Sequence, residues 1–137
     1  MKKIMLAILT VFMLSACNGN AETGFIASNV QNVLNKISNQ ESFLVLIEKK
    51  DCYSCQMFRE DIQNVIEKNK LNIDTICDDD ISDSDRDQLQ IALRENRSWP
   101  VLFYVKEGSV SELAVYEYSL DPEGWEQWLI DMKLISK

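Results

Sequence analysis

The sequence predicts an α/β domain with one central mixed β-sheet, helices on both faces and an antiparallel hairpin that closes the sheet. Helix-like and strand-like patterns alternate along most of the 137 residues. A strand–helix–strand order implies parallel neighbouring strands. Two late apolar runs separated by Glu107-Gly108-Ser109 predict the hairpin. The length suits a single domain with its own core.

Composition and charge exclude several classes of function. Hydrophobic residues at 46% and charged residues at 26% are typical of a globular protein. The net charge of −8 argues against a nucleic-acid-binding surface. The sequence contains no histidine, which excludes Ser-His and Cys-His catalysis, haem ligation by histidine and most zinc enzymes.

The N-terminus has the pattern of an export signal. Basic Met1-Lys2-Lys3 precedes an apolar stretch over 4–14, which is too short to span a membrane. Leu14-Ser15-Ala16-Cys17 resembles a bacterial lipobox, and this resemblance implies cleavage before Cys17 and its lipidation. The alternative is an ordinary secretory signal with a chance cysteine. Both interpretations predict an extracytoplasmic location, where disulfides form.

These boundaries divide the chain into three parts. Residues 1–16 are predicted to be a lipoprotein signal peptide, and residues 17–24 a lipid-anchored cysteine with a short polar tether. Residues 25–137 are predicted to form the folded domain. The lipid would anchor this domain to the cell membrane.

The first half of the domain alternates between helix and strand. A first helix is predicted from apolar residues at helical spacing, namely Phe25, Ile26, Val30, Val33, Leu34 and Ile37. The near-continuous apolar run over 42–48 predicts a strand covered on both faces. A second helix follows to about Asn69, and residues 71–77 predict the next strand.

An acidic stretch precedes the third predicted helix. Its Asp83-x-Asp85-x-Asp87 spacing invites interpretation as a calcium loop, but Gln88 replaces the required glycine. A helix start with Ser82 or Ser84 as the N-cap is favoured instead.

The last part of the domain predicts the hairpin and a final helix. Residues 101–105 are a clear strand, and residues 110–118 its antiparallel partner. Asp121-Pro122 is typical of a helix start. The buried face of that helix is predicted to carry Trp125, Trp128, Leu129 and Met132.

Cys52-Tyr53-Ser54-Cys55 lies where the first strand gives way to the second helix. A thiol at a helix N-terminus is stabilised as the thiolate, which is a nucleophile at neutral pH. Lys49 and Lys50 would add positive potential, partly offset by Asp51. With Cys17 assigned to lipid, the odd number of remaining cysteines favours a redox pair with one spare. The spare, Cys77, is expected to be a buried inert thiol, with a regulatory disulfide as the alternative.

The element order, the Cys-x-x-Cys and the later Pro100 together resemble the thioredoxin fold over about residues 25–135. Two helices, a strand and short loops need about 40–50 positions, and the interval from Cys52 to Pro100 falls in that range. The resemblance implies a redox-active Cys52–Cys55 disulfide with Cys52 as nucleophile and Cys55 as resolving thiol, and no other cofactor. It also implies a cis peptide bond before Pro100. Substrate would bind along Trp99, Pro100, Tyr53 and Ser54.

The sequence departs from the family pattern at several positions. Asp51 stands where a tryptophan often precedes the first cysteine, and Tyr-Ser inside the motif indicates no direction of electron flow. Leu46 occupies the place of the buried acid that assists proton transfer in many members. Glu48 points to the same face and is the candidate replacement, with a solvated strand-end glutamate as the alternative. Trp99 is bulkier than the usual residue before the proline.

We therefore expect a membrane-anchored thiol–disulfide oxidoreductase that acts on exported proteins and is recycled by an unidentified redox partner. A monomer that binds no nucleic acid is expected. In size and lipobox it resembles small thioredoxin-like lipoproteins of Gram-positive bacteria, including bacteriocin-transport accessory proteins. The alternatives are a non-catalytic binding module for an export system and a thiolate metal site that recruits Cys77. A purely structural disulfide would close too small a loop to stabilise much.

Overall fold

The computed structural model describes residues 24–94, 98–118 and 124–137, which form one sheet flanked by helices. The signal peptide, Cys17 and the predicted helix start at Asp121-Pro122 lie outside these residues. In chain order the helices and strands are β1 (Gly24–Ala27), α1 (Val30–Ser38), β2 (Phe43–Glu48), α2 (Tyr53–Asn69), β3 (Asn72–Cys77), α3 (Asp83–Leu93), β4 (Val101–Val105), β5 (Val115–Glu117) and α4 (Gly124–Asp131). Within the described ranges, no helix is long and apolar enough to cross a membrane.

The sheet is mixed and has the strand order β1-β3-β2-β4-β5. Strands β1 and β2 both pair in parallel with β3, whereas β4 runs antiparallel to β2 and to β5. The predicted parallel β2–α2–β3 unit and the closing hairpin are both confirmed.

Strand β1 corrects the predicted first helix. Phe25 and Ile26 are not helical, because they pair in parallel with Ile73 and Asp74 of β3. The helix begins only at Val30, where the side chain of Asn29 caps it. Strand β1 thus occupies the first four described residues, Gly24–Ala27.

The return strand of the hairpin is shorter than predicted. Of the residues 110–118, only Val115–Glu117 pair with β4, because a single 3₁₀ turn over Glu112–Ala114 precedes them. The hairpin turn is held against α1 at Gly108, whose φ is +75°. A side chain there would come within 2.4 Å of the Ile37 carbonyl oxygen, so only glycine fits.

Strand β2 lies at the centre of the sheet and is covered on both faces. Val45 and Ile47 face the core formed with α1 and α3, whereas Leu44 and Leu46 face the core formed with α2 and α4. The near-continuous apolar run is explained by this double burial. The fully buried Phe58 of α2 packs over the second face and fixes the helix above the end of β2.

The acidic stretch forms a helix start, as predicted. The side-chain oxygen of Ser82 accepts a hydrogen bond from the Asp85 N–H at 3.1 Å, so Ser82 is the N-cap of α3. In the part of the chain that the structure describes, no group of three or more His, Cys, Asp or Glu side chains could hold a metal ion.

Candidate redox site

The two cysteines lie at the junction between the carboxyl end of β2 and the first turn of α2. Cys52 is the N-cap of α2 and Cys55 lies within its first turn. Their sulfurs form a disulfide. Cys52 is half-buried, whereas Cys55 is only 4% exposed. Cys52 is therefore the more accessible of the two cysteines, and Cys55 is shielded.

The helix N-terminus stabilises charge on the accessible sulfur. The Cys55 N–H donates a hydrogen bond to Cys52 Sγ at 3.2 Å, so the sulfur occupies the place of a capping oxygen. When the disulfide is reduced, this amide and the positive end of the helix dipole favour the thiolate of Cys52.

The neighbouring lysines add less positive potential than their number suggests. The Lys50 ammonium forms an ion pair with Asp80, which raises the pKa of Lys50 and neutralises its charge locally. The Lys49 ammonium lies 3.7 Å from the centre of the Trp99 ring, in a cation–π contact. Both lysines therefore contact neighbouring loops, Lys50 through Asp80 and Lys49 through Trp99.

The segment before β4 approaches the cysteine motif from the other side. The Trp99–Pro100 peptide bond is cis, in agreement with the expectation. The Ser54 hydroxyl donates a hydrogen bond to the Trp99 carbonyl oxygen at 3.0 Å. The same hydroxyl oxygen lies 3.4 Å from Cys52 Sγ. A backbone carbonyl and the accessible sulfur thus share one side-chain neighbour.

Glu48 is not a solvated strand-end glutamate. Its two carboxylate oxygens accept hydrogen bonds from Arg59 Nε and Nη2 at 2.7 and 2.5 Å, and its side chain is 12% exposed. The hydrogen bond to Glu48 raises the pKa of Arg59. The guanidinium also lies 4.3 Å from the centre of the Phe25 ring. Leu46, at the place of the usual buried acid, is fully buried in an apolar core.

A cavity of about 190 Å³ brings these groups together behind the motif. Its lining includes Cys52, Cys55, Glu48, Arg59 and Cys77. Cys77 is a free thiol opposite Glu48 in the sheet register. It is half-buried and borders this cavity, so the prediction of a buried spare thiol is wrong.

Sequence reasoning overlooked Arg59, although the helix period could have identified it. Cys52, Cys55 and Arg59 recur at the three- and four-residue spacing that aligns side chains on one helix face. This spacing places Arg59 on the helix face that carries the resolving cysteine.

A larger cavity of about 370 Å³ lies on the side of Trp99. Its walls include Lys49 and Asp79 from the loops after β2 and β3, and Arg86 and Leu89 from α3. The indole Nε1 of Trp99 is buried and has no hydrogen-bond partner among the described residues. The cavity thus combines apolar, acidic and basic walls beside Trp99.

Solved structures with the same fold include several thioredoxins. Thioredoxin from Trypanosoma brucei brucei is 13% identical with a TM-score of 0.62, and the alignment covers 83% of this chain and 96% of that one. Oxidised thioredoxin O2 from Arabidopsis thaliana is 12% identical with a TM-score of 0.60, covering 80% and 95%. Thioredoxin f2 from Chlamydomonas reinhardtii is 9% identical with a TM-score of 0.61, covering 82% and 100%.

The chain therefore has the thioredoxin fold, as the sequence predicted. At these identities the likeness concerns the fold. No protein-family model matches the sequence, and no curated protein does.

Proposed function

We propose that the protein is a thiol–disulfide oxidoreductase that works through Cys52 and Cys55. The observation that carries this proposal is the disulfide at the N-terminus of α2, between a half-buried Cys52 and a buried Cys55. This asymmetry suits an attacking thiol and a resolving thiol. The thioredoxin fold of the domain supports the same chemistry.

The exchange runs in two displacement steps. In the reduced protein, the Cys52 thiolate attacks one sulfur of a client disulfide, the client S–S bond breaks, and the other client sulfur leaves as a thiolate. Cys55 then loses its proton and attacks Cys52 Sγ, which breaks the mixed disulfide and releases the second client thiolate. The client gains two electrons and, from water and Cys55, two protons. Both steps are reversible, so the relative reduction potentials set the direction.

We assign to Glu48 the acceptance of the Cys55 proton. The support is that Glu48 and Cys55 line one cavity, and that Arg59 holds the Glu48 carboxylate in a fixed orientation. A carboxylate beside a buried thiol can act as a general base when the pair is linked by water.

The client is proposed to bind across the surface next to the disulfide. Tyr53 is 71% exposed inside the motif, and Trp99 and Pro100 lie opposite it. An extended segment passing between them would bring its cysteine to Cys52. The cavity beside Trp99 would then take a client side chain next to that cysteine, and its mixed walls suit a polar residue.

The proposed location is the outer face of the cell membrane, with lipid on Cys17 as anchor and exported proteins as clients. A separate redox protein would recycle the pair. The lipobox-like residues supply the support. Incorporation of labelled palmitate into the wild type, and its loss in Cys17→Ser, tests the anchor.

A trapping experiment tests the activity. In a common Cys77→Ser background, Cys55→Ser leaves the mixed disulfide on Cys52 unresolved, so client adducts accumulate that reducing agent releases. Cys52→Ser is the matched control and should trap none. Absence of adducts, with both cysteines reduced in cells by thiol labelling, would instead favour a non-catalytic binding module.

The reduction potential of the pair decides the direction. A value near the roughly −270 mV of thioredoxin indicates a reductase, and one near roughly −120 mV indicates an oxidase.

A further inference from the structure

We propose that Ser54 controls client binding by moving its single hydroxyl proton between two acceptors as the disulfide is oxidised and reduced. The acceptors are the Trp99 carbonyl oxygen and Cys52 Sγ. This inference rests on the proposed function and identifies the redox state that binds the client.

The geometry places both acceptors within reach of one hydroxyl group. Ser54 Oγ is 3.0 Å from the Trp99 carbonyl oxygen and 3.4 Å from Cys52 Sγ. A hydroxyl group has one proton to donate. The two hydrogen bonds therefore exclude each other, and a rotation about the Cβ–Oγ bond converts one into the other without moving a heavy atom.

The redox state determines which of the two acceptors receives the hydrogen bond from Ser54. In the disulfide, Cys52 Sγ is neutral and a weak acceptor, so the proton goes to the carbonyl. In the reduced protein, Cys52 is the thiolate favoured by the N-terminus of α2. Hydrogen bonds to a charged acceptor are roughly twice as strong as those between neutral groups. The hydroxyl then donates to the thiolate, and the Trp99 carbonyl becomes free.

A free Trp99 carbonyl is useful to a client because it lies beside the nucleophile. The backbone of a segment whose cysteine reaches Cys52 passes close to this carbonyl and can donate an N–H to it. In the oxidised protein, the client must compete with Ser54 for the same acceptor. The reduced form therefore binds the client more tightly than the oxidised form does. One net hydrogen bond corresponds to an affinity difference of about fivefold.

The Trp99–Pro100 peptide can be observed directly. Trp99 is followed by proline and the other two tryptophans are not, so ¹³C-carbonyl tryptophan with ¹⁵N proline gives one unique NMR signal. The full-length chain in detergent micelles, with Cys17 and Cys77 replaced by serine, is measured oxidised and reduced. We expect the carbonyl signal to move upfield on reduction, because the carbonyl loses its donor. In Ser54→Ala, both states should lie at the reduced wild-type position.

Ser54→Thr is the matched control, because it keeps the hydroxyl and should keep the redox-dependent shift. A shift that persists in Ser54→Ala, or its absence from the wild type, overturns the proposal. Alkylation of reduced Cys52 by iodoacetamide at low pH should also be slower in Ser54→Ala, because the thiolate loses a donor. Equal alkylation rates in the wild type and in Ser54→Ala would contradict the hydrogen bond from Ser54 to the Cys52 thiolate.

Client binding is tested on the same signal. The probe is a twelve-residue extended peptide whose target cysteine is replaced by serine, so that no covalent step occurs. Its midpoint should be about fivefold lower for the reduced wild type than for the oxidised wild type, and equal in the two states of Ser54→Ala. Equal wild-type midpoints, or no movement of the signal in any state, overturn the role in client binding.

The outcomes separate this inference from the proposed function. If Cys55→Ser traps clients but the Trp99 carbonyl signal is the same in both redox states, the exchange activity is supported and the proposed change of acceptor by Ser54 is wrong. If the Trp99 carbonyl signal changes with the redox state but no client is trapped, the redox-dependent hydrogen bond of Ser54 is supported and the exchange activity is wrong.

Discussion

Replacing Glu48 by glutamine is expected to lower the free energy of unfolding by about 1–2 kcal/mol. The carboxylate accepts two hydrogen bonds from Arg59, and its side chain is 12% exposed. A fully buried pair broken on one side would cost about 3–5 kcal/mol. Arg59 is 39% exposed, however, so water screens its charge and takes over part of its hydrogen bonding. Glutamine also keeps one acceptor, which places the loss below the buried-pair value.

The measurement is the urea midpoint of the oxidised protein at constant slope, in a double-mutant cycle with Arg59→Met. We expect a coupling energy of about 1 kcal/mol between the two positions. The exposed ion pair of Lys50 and Asp80 is the matched control, and Asp80→Asn should leave the midpoint unchanged. A coupling energy within the error of about 0.3 kcal/mol would refute the stabilising role of the Glu48–Arg59 pair.

The same variant tests proton transfer. Glutamine cannot accept the Cys55 proton, so Glu48→Gln should slow the resolution of a preformed mixed disulfide on Cys52 while the initial attack keeps its rate. Rapid acid quench followed by mass spectrometry separates the two steps. An unchanged resolution rate would remove Glu48 from the mechanism.

Three further predictions concern stability. Ser82→Ala should cost about 1 kcal/mol in urea unfolding because α3 loses its N-cap, whereas Ser84→Ala should have no such effect. Burial, and then the hydrogen bond to Asp61, raise the pKa of Tyr118 to about 12, against about 10 in the unfolded chain. The contribution of Tyr118 to the free energy of unfolding is therefore complete below about pH 10 and is lost between about pH 10 and 12. Tyr118→Phe should reduce the pH dependence of the free energy of unfolding over that interval. Gly108→Ala should destabilise the protein by more than about 1 kcal/mol, since its φ is positive and its neighbour is backbone; an unchanged urea midpoint would contradict this close packing.

Patterns confined to one segment predicted most of the sheet. β2 and β4 are long apolar runs, so their burial could be inferred from local sequence. β1 could not, because four residues carry too little alternation and Phe25 and Ile26 also fit the period of the following helix. What makes β1 a strand is its pairing with β3, about 48 residues further along the chain. The shortened β5 likewise follows from a turn that the apolar pattern of 110–118 does not reveal.

The residues of the site also differ in how far the sequence predicts them. Cys52, Cys55 and Pro100 were predictable because their spacing along the chain carries the signal. The contacts around them were not. Ser54 meets Trp99 only because β4 enters beside α2, and Glu48 meets Arg59 only because α2 packs back over β2. Neither partner choice is encoded by neighbouring residues.

The parallel arrangement of β1, β3 and β2 determines which way the disulfide faces. The amino ends of these strands share one side of the sheet and their carboxyl ends the other. The described chain begins at Gly24, at the amino end of β1, whereas Cys52 follows the carboxyl end of β2. A six-residue strand spans about 20 Å, so the two points lie on opposite sides of the domain. A client that reaches Cys52 therefore approaches the side of the domain opposite to the one where the described chain begins.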